Sequence, residues 1–233
     1  MEEPLLAVRS LSKAFTLHLQ GGVVIPVLER LDLDLLPGEC LVLTGPSGQG
    51  KSTLLKLLHG SYRALEGSIS LRHDGAMVEL VDAEPRLVLE VRRRTLGYVS
   101  QFLRVVPRVP ALDIVAEPLR ALGAGREEAG TRAAELLARL NISERLWALP
   151  PATFSGGEQQ RVNIARGLAH PYPVLLLDEP TASLDATNRA AVVSLIEEAK
   201  RRGAGVVAIC HDEDVRERIA TRFLDLARHK AAA

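Results

Sequence analysis

The sequence predicts an α/β fold built on a parallel β-sheet, and the alternation of its apolar segments is the main observation behind this prediction. Continuous apolar runs at 40–44, 174–177 and 205–210 are typical of strands that are buried in a sheet. Helical patterns at 53–59 and 190–202 alternate with these runs. Such alternation forms parallel sheets, whose functional residues lie at the carboxyl ends of the strands. With 233 residues, of which 47% are hydrophobic, the chain can form one large domain.

The N-terminal part of the chain predicts a second set of strands, arranged as antiparallel hairpins. Segments 5–10 and 23–35 have strand patterns and are separated by a glycine turn. Segments 69–71 and 77–81 flank an Asp-Gly pair, which is a strong signal for a hairpin. Phe15 lies between these predicted elements and the motif that follows. Its ring is equally consistent with stacking on a nucleotide base and with packing in the core of an edge strand.

The strongest motif follows the first buried strand and opens the first predicted helix. It matches the pattern G-x-x-x-x-G-K-[ST] and consists of Gly45, Pro46, Ser47, Gly48, Gln49, Gly50, Lys51 and Ser52. Its backbone N–H groups and the helix N-terminus can surround a polyphosphate, and Thr53 continues this binding segment into the helix. Lys51 would reach the outer phosphates, and the Ser52 hydroxyl would bind Mg²⁺. A chance glycine-rich turn is the alternative, but the flanking strand and helix argue against it. The sequence therefore predicts that the chain binds a nucleoside triphosphate.

The middle of the chain predicts a helical insertion. Prolines punctuate two helical patterns there, at 112–122 and 127–140. We predict that residues 102–151 form a helical lobe. Residues 1–101 and 152–233 would then form the nucleotide-binding core with its β subdomain.

A second glycine motif, which begins at Ser155, predicts the start of another helix. Ser155 and Glu158 have the spacing of a capping box, which is a purely structural explanation. That explanation leaves Gly156 and Gly157 unaccounted for, because glycine weakens the first turn of a helix. Glycines in this position expose N–H groups to an anion, so we also predict a second phosphate-binding element. A two-fold dimer, in which each Ser155 loop closes the phosphate loop of the other chain, satisfies that geometry.

Polar side chains at the ends of predicted strands suggest catalysis. Asp178 and Glu179 directly follow the buried run at 174–177. Asp178 suits coordination of Mg²⁺ from outside its innermost layer of ligands, and Glu179 suits activation of the attacking water. His211 ends the next strand and can hydrogen-bond the transferring phosphoryl group. Gln101 ends another strand, and its amide can bind Mg²⁺ or water, although such a residue commonly just caps a turn.

Composition excludes several other classes of function. The net charge is zero and aromatic residues make up 3% of the chain, which argues against a nucleic-acid partner. The sequence contains no apolar run long enough to span a membrane, and its acidic first residues lack the layout of a signal peptide. Cys40 and Cys210 lie in apolar runs and are expected to be core residues. We therefore expect a cytoplasmic protein without direct membrane insertion.

Taken together, the motifs resemble those of ABC-type ATPases. The matching motifs, in the order of that family, are the phosphate loop at 45–52, Gln101, 155–159, 175–179, 182–185 and His211. The resemblance implies a two-lobed domain that holds two ATP molecules, with Mg²⁺, between head-to-tail protomers. It also implies base stacking by Phe15 and communication across the dimer by Asp185. Glu158 stands where the family consensus has Gln, a common variation that leaves ATP binding unaffected.

A narrower resemblance comes from the segments between the motifs. Residues 101–108, 141–147 and 154–167 are similar to the L subunit of the bacterial carbon–phosphorus lyase system. That resemblance implies soluble lyase subunits as partners and a role in converting a phosphonate and ATP to ribose 1-phosphonate 5-triphosphate and adenine. The alternative is the ATPase of an exporter of the lipoprotein-release or macrolide type. The dimer could be a homodimer or a heterodimer with a related ABC ATPase.

The predicted site residues favour hydrolysis of ATP over transfer of its ribose. Each of them addresses the β and γ phosphates, and none is arranged to attack the anomeric carbon. We therefore expect this chain to hydrolyse ATP, with any ribosyl transfer carried out by partner subunits.

Overall fold

A computed structural model describes residues 3–17, 21–103 and 107–229. Its strands are β1 (Leu6–Leu17), β2 (Val23–Leu35), β3 (Cys40–Thr44), β4 (Glu66–His73), β5 (Ala76–Glu79), β6 (Leu96–Val99), β7 (Val174–Asp178), β8 (Gly205–Ile209) and β9 (Arg222–Asp225). Its α-helices are α1 (Lys51–Leu58), α2 (Pro85–Arg94), α3 (Ala111–Ala121), α4 (Arg126–Arg139), α5 (Gly156–Gly167), α6 (Ala186–Arg201) and α7 (Glu213–Ile219).

The central sheet is parallel, as the alternation of strands and helices predicts. Its strand order is β6-β7-β8-β3-β9, and each neighbouring pair is parallel. All five residues of β7 and of β8 are buried, which explains why these strands are continuous apolar runs. The carboxyl ends of β3, β6, β7 and β8 meet at one edge of the sheet, where the predicted site residues follow.

The second sheet is antiparallel and has the strand order β2-β1-β4-β5. Both predicted hairpins are present, and the β4–β5 turn places Asp74 and Gly75 at φ angles of 48° and 85°. Leu31, Leu33 and Leu35 of β2 are buried, whereas the charged residues between them are more exposed. This alternation is expected of a sheet with one face against the core.

Two apolar clusters cover opposite faces of the parallel sheet. The first joins the leucines of α1 to inward-facing residues of the antiparallel sheet. The second joins the other face of β7 and β8 to α3, α4, α5 and α6. Neighbouring residues of β7 belong to different clusters, Leu176 to the first and Leu175 to the second, because successive side chains of a strand point to opposite faces.

The predicted helical insertion contains α3 and α4, which pack against each other and against α5. It is tied to α6 of the core by two polar contacts. Arg139 donates to both carboxylate oxygens of Glu198, and Asn141 donates through Nδ2 to Asn188 Oδ1 at 3.0 Å. Within the described residues, no helix combines the length and the apolar character needed to cross a bilayer.

Candidate active site

The phosphate loop joins β3 to α1 at the carboxyl edge of the parallel sheet. Gly50 has a φ of 86°, and a Cβ at this position would lie 2.7 Å from Val27 Cγ1, so only glycine fits there. Gly50 is also the N-cap of α1 and provides no side chain to accept from the first turn. The N–H groups of that turn are therefore available to an anion. Pro46, Ser47 and Gly48 lie on the exposed side of the loop.

Lys51 lies inside the curve of this loop. Its Nζ donates to the carbonyl oxygens of Gly45 at 2.6 Å and Pro46 at 2.9 Å, and the residue is 9% exposed. The ammonium group is thus held where the outer phosphates of a bound nucleotide are predicted to lie. The local order of strand, glycine loop and helix agrees with the sequence pattern.

Ser52 and Asp178 meet between α1 and the end of β7. Ser52 Oγ donates to Asp178 Oδ1 at 3.2 Å, although the two residues are far apart in the sequence. Asp178 is 4% exposed, and this burial raises the pKa of its carboxyl group, with the hydrogen bond from Ser52 acting in the opposite direction. A hydroxyl and a carboxylate are oxygen donors that suit Mg²⁺. Among the described residues, no group of three or more His, Cys, Asp or Glu is placed to hold a metal ion by itself. A cation here would therefore complete its shell with phosphate oxygens and water, as Mg²⁺ does.

Glu179 lies between two other predicted site residues. Its Oε1 is 3.0 Å from His211 Nε2, and its Oε2 accepts from Gln101 Nε2 at 3.3 Å. Glu179 N donates to Ile209 O at 3.0 Å, which fixes the backbone beside the end of β8. The structure therefore gathers Gln101, Glu179 and His211 at the ends of three neighbouring strands, as their positions in the sequence suggest. Their catalytic roles, and Mg²⁺ binding by Gln101, stay predictions.

The Ser155 motif forms the predicted capping box at the start of α5. Ser155 N and Oγ donate to Glu158 Oε2 at 2.9 and 2.7 Å, and Glu158 N donates back to Ser155 Oγ at 3.4 Å. The side-chain hydrogen bond from Ser155 is the main reason that the pKa of Glu158 is lowered. Gly156 is exposed and Gly157 half-buried, with no atom within 4 Å of a Cβ built at Gly156. In the part of the chain that is described, we find no hydrogen bond between this motif and the phosphate loop, so phosphate binding by the motif stays a prediction.

Asp185 caps the start of α6. It accepts from Asn188 N and from Asn188 Nδ2, each at 2.8 Å, and the backbone hydrogen bond is the main reason that its pKa is lowered. Because Asn188 also contacts Asn141, Asp185 is linked to the helical lobe through a single residue. Its predicted role in communication across the dimer involves contacts between two chains and stays a prediction.

Phe15 is half-buried on β1, opposite Ile25 of β2. Its ring packs edge-to-face against Tyr62 with centroids 5.4 Å apart, and Lys13 Nζ lies 4.9 Å from its centroid. The ring thus has some contacts of a core residue and also some exposed surface. Both interpretations made from the sequence remain compatible with this placement.

Two residues close to the site have no obvious signal in the sequence. Tyr98 of β6 donates from its hydroxyl to Asp178 Oδ2 at 3.4 Å. The ring of His59, at the end of α1, lies 4.8 Å from the ring of Tyr98. The local sequence shows only that Tyr98 is a polar aromatic residue in a short apolar strand. Its contacts could not be predicted, because Asp178 and His59 are distant from it in the sequence.

Comparisons with known proteins agree with this geometry. A family profile described as "ABC transporter" matches residues 28–182. The lipoprotein-releasing system ATP-binding protein LolD 2 of Caulobacter vibrioides is 39% identical over 229 residues, which cover 98% of this chain and 92% of that protein. The macrolide export ATP-binding/permease protein MacB of Wolinella succinogenes is 37% identical over 92% of this chain, but the chain spans only 32% of that protein.

The fold is also similar to solved structures. A dimeric structure of the ATP-binding cassette MJ0796, described as a post-hydrolysis state bound to ADP and Pi, has a TM-score of 0.85 with 30% sequence identity. The similarity covers 94% of this chain and 93% of that cassette, so it includes both sheets and the helical lobe.

Proposed function

The chain belongs to the ABC transporter family and has the ABC ATPase fold, and from this premise we propose that it is the ATP-hydrolysing motor of a membrane permease. ABC ATPase domains bind ATP with Mg²⁺. The observation that carries the proposal is the position of Glu179, which lies between His211 and Gln101 and directly follows Asp178 in the chain. A base, a polar sensor and a metal carboxylate at one sheet edge are the groups that phosphoryl transfer to water requires.

Each group has one task in the proposed reaction. The phosphate loop and Lys51 hold the β and γ phosphates. Ser52 and Asp178 would hold Mg²⁺, which would supply positive charge that offsets part of the phosphate charge. Glu179 accepts a proton from a water molecule as the water oxygen bonds to the γ phosphorus. The β–γ bridging oxygen leaves with ADP, and His211 donates a hydrogen bond to the transferring phosphoryl group. The products are ADP and phosphate.

The proposed active unit is a dimer with two composite sites. The exposed Ser155 motif of one chain would complete the phosphate site of the other, which gives its free N–H groups an anionic ligand. The dimeric MJ0796 cassette, which is similar over nearly its whole length, supports this arrangement. Both a homodimer and a heterodimer with a related ATPase fit the proposal.

An exporter of the lipoprotein-release or macrolide type is the system that we propose for this motor. LolD 2 matches over 98% of this chain and 92% of its own length, and its name assigns it to a lipoprotein-releasing system. The name of MacB includes a permease, and this chain corresponds to only 32% of that protein. Since none of the described helices can cross a bilayer, a permease would be contributed from outside the described residues. The chain would then act at the cytoplasmic side of a membrane.

The carbon–phosphorus lyase system is the second candidate. The similarity of residues 101–108, 141–147 and 154–167 to its L subunit is the specific observation in its favour, although residues 104–106 lie outside the described residues. None of the relatives reported above belongs to that system, so the comparisons support the exporter better. In either system the chain would hydrolyse ATP, because its assigned residues address the β and γ phosphates.

Co-purification from the native host separates the two candidates. The tagged chain and a Lys51→Ala variant would be isolated, with detergent, from cells grown on phosphate and from cells grown on a phosphonate. Recovery of a membrane permease in both media supports the exporter motor, whereas recovery of soluble lyase subunits on the phosphonate supports the second candidate. Absence of ATPase activity in the wild-type complex, relative to the Lys51→Ala complex, would refute both.

A further inference from the structure

We propose that Tyr98 is a positioning residue for the metal-binding carboxylate of Asp178. The proposal rests on the proposed role of Asp178 in the ATPase site. The structure places the Tyr98 hydroxyl 3.4 Å from Asp178 Oδ2, on the opposite carboxylate oxygen from the one bound by Ser52 at 3.2 Å. Each oxygen of this buried carboxylate therefore has one hydroxyl donor from a different element, one from β6 and one from α1.

This pair of hydrogen bonds determines how the carboxylate is oriented. With one donor, a carboxylate can rotate about its terminal bond, because that torsion has broad minima. With a donor on each oxygen, rotation breaks at least one hydrogen bond inside a site that water reaches poorly. A metal carboxylate held in this way is preorganised, and metal ligands depend on such outer partners for their affinity.

The strand pairing explains how Tyr98 reaches Asp178. Strand β6 is parallel to β7, with Tyr98 opposite Leu176, two residues before Asp178. Tyr98 and Leu96 pack in the apolar cluster on the α1 side of the sheet, whereas Val99 belongs to the cluster on the other side. The side chain of Tyr98 therefore extends along the face of the sheet on which α1 also carries Ser52.

Tyr98 borders a large cleft. The cleft has a volume of about 1040 Å³ and lies between α1, α2, β6 and the helical lobe, with Tyr98 and Asp178 both in its wall. The His59 ring packs on the Tyr98 ring at 4.8 Å, and His59 Nδ1 is 2.7 Å from Ser61 Oγ. Arg92 Nε donates to His59 O at 2.8 Å. The ring of Tyr98 is thus held from the cleft side, which restricts where its hydroxyl can lie.

Simple packing is the competing explanation for Tyr98. The hydrophobic part of the ring would fill the same space in a phenylalanine, so packing alone does not require the hydroxyl. Tyr98→Phe keeps the ring and removes the hydroxyl that donates to Asp178. The variant therefore separates positioning of the carboxylate from filling of the cluster.

Binding of Mn²⁺ to the ADP-loaded protein, measured by electron paramagnetic resonance of the free ion, tests the proposal. Tyr98→Phe should weaken Mn²⁺ binding by about 3- to 10-fold, the range expected for one lost hydrogen bond. Affinity for ADP in EDTA should be unchanged. In ATPase assays the Mg²⁺ concentration for half-maximal rate should rise by a similar factor, while the rate at excess Mg²⁺ stays within about twofold.

Two control variants assign the result. Tyr172→Phe makes the same chemical change in a ring that packs against Gly97, the residue before Tyr98. This variant should bind Mn²⁺ like the wild type. Asp178→Asn should weaken Mn²⁺ binding more than Tyr98→Phe. If Asp178→Asn binds Mn²⁺ normally, the metal assignment itself is wrong. If Asp178→Asn is impaired while Tyr98→Phe and Tyr172→Phe both bind normally, the metal site stands and the role of Tyr98 is refuted.

Discussion

At the scale of single residues, Glu179 combines an unusual backbone conformation with a shared carboxylate. Its φ of 53° lies in the left-handed region of backbone conformation, which residues other than Gly, Asn and Asp seldom adopt. Such a conformation costs on the order of 1–3 kcal/mol and persists where surrounding contacts hold it. Here the backbone is held by Ile209 O, and the side chain by His211 and Gln101. The chain turns sharply after β7 and directs this carboxylate toward the ends of the neighbouring strands.

Replacing Glu179 by Gln should stop hydrolysis and preserve nucleotide binding. The amide has the shape of the carboxylate but cannot accept a proton from water, so the ATPase rate should fall by at least about 100-fold. Phosphate release and binding of a fluorescent ATP analogue would be measured on the same sample. Glu213→Gln, an exposed change in α7, is the matched control and should leave the rate within about twofold. A Glu179→Gln variant as active as the parent would contradict the assignment of the base.

His59 should make stability depend on pH below neutrality. Burial first, and the charge of Arg92 second, lower the pKa of His59 from 6.5 to about 4. Since the folded pKa lies below the unfolded one, the unfolded chain binds an extra proton between these values. This contribution to stability is therefore fully present above about pH 6.5 and is lost progressively as the pH falls toward 4.

The His59→Gln variant tests this dependence, because an amide can replace the hydrogen bond to Ser61 but does not titrate. Urea unfolding at pH 7, 6 and 5 would give the free energy of unfolding for both proteins. The wild type should lose more stability than the variant over this interval. Equal losses in the two proteins would show that His59 does not contribute.

At the scale of helices and strands, most elements were predictable because their signals are local. The buried runs of β3, β7 and β8 and the proline-bounded patterns of α3 and α4 lie close to their predicted positions. Helix α6 begins at Ala186, before the predicted start at 190, because Asp185 caps the helix there. Strand β1 continues to Leu17, well beyond the predicted end at 10, because β2 pairs with it along its whole length.

The same distinction applies to the site. Gln101, Asp178, Glu179 and His211 could be predicted to converge because each one follows a strand of a parallel sheet. The contacts of Tyr98 with Asp178 and with His59 depend on packing between distant segments. Neither spacing nor periodicity carries that information, since both describe residues that are near one another in the sequence.

Two helical glycines should respond in opposite ways to alanine. A Cβ at Gly167, at the end of α5, would overlap the Val99 side chain of β6, whereas a Cβ at Gly130, inside α4, meets nothing within 4 Å. Gly167→Ala should therefore force α5 away from the sheet and destabilise the protein by about 1–3 kcal/mol. Gly130→Ala should stabilise it by up to about 1 kcal/mol, because alanine favours the helix. Thermal unfolding of both variants measures the difference, and equal melting temperatures would show that α5 can move without penalty.

At the scale of the whole molecule, the phosphate loop and the Ser155 motif are separate surfaces of one chain. The first lies between β3 and α1, and the second begins α5 beyond the helical lobe. A dimer can bring the two motifs to the same nucleotide from different chains. In that arrangement ATP lies within the interface, so its binding should control association.

The Glu179→Gln variant should therefore dimerise when ATP is added. Light scattering after gel filtration would show twice the monomer mass with ATP and the monomer mass without it. Adding Gly156→Asp should abolish the dimer, because it places a carboxylate at the start of α5 against the phosphates of the partner site. Gly130→Asp, at an equally open position, is the control and should still dimerise. Persistence of the dimer with Gly156→Asp would exclude the Ser155 motif from the interface.

The attachment of the helical lobe has a mechanical consequence. The lobe is fastened to α6 by Arg139 and Asn141, while the cleft separates it from the core on the side of α2 and β6. A rotation of the lobe about this line of contacts would move the cleft side furthest and would have to change the packing of α3 against α5. Asn188 takes part in these contacts and also binds Asp185, so the rotation would displace the turn that starts α6. A partner that widens the cleft would in this way shift Asp185 and the start of α6 without touching the nucleotide.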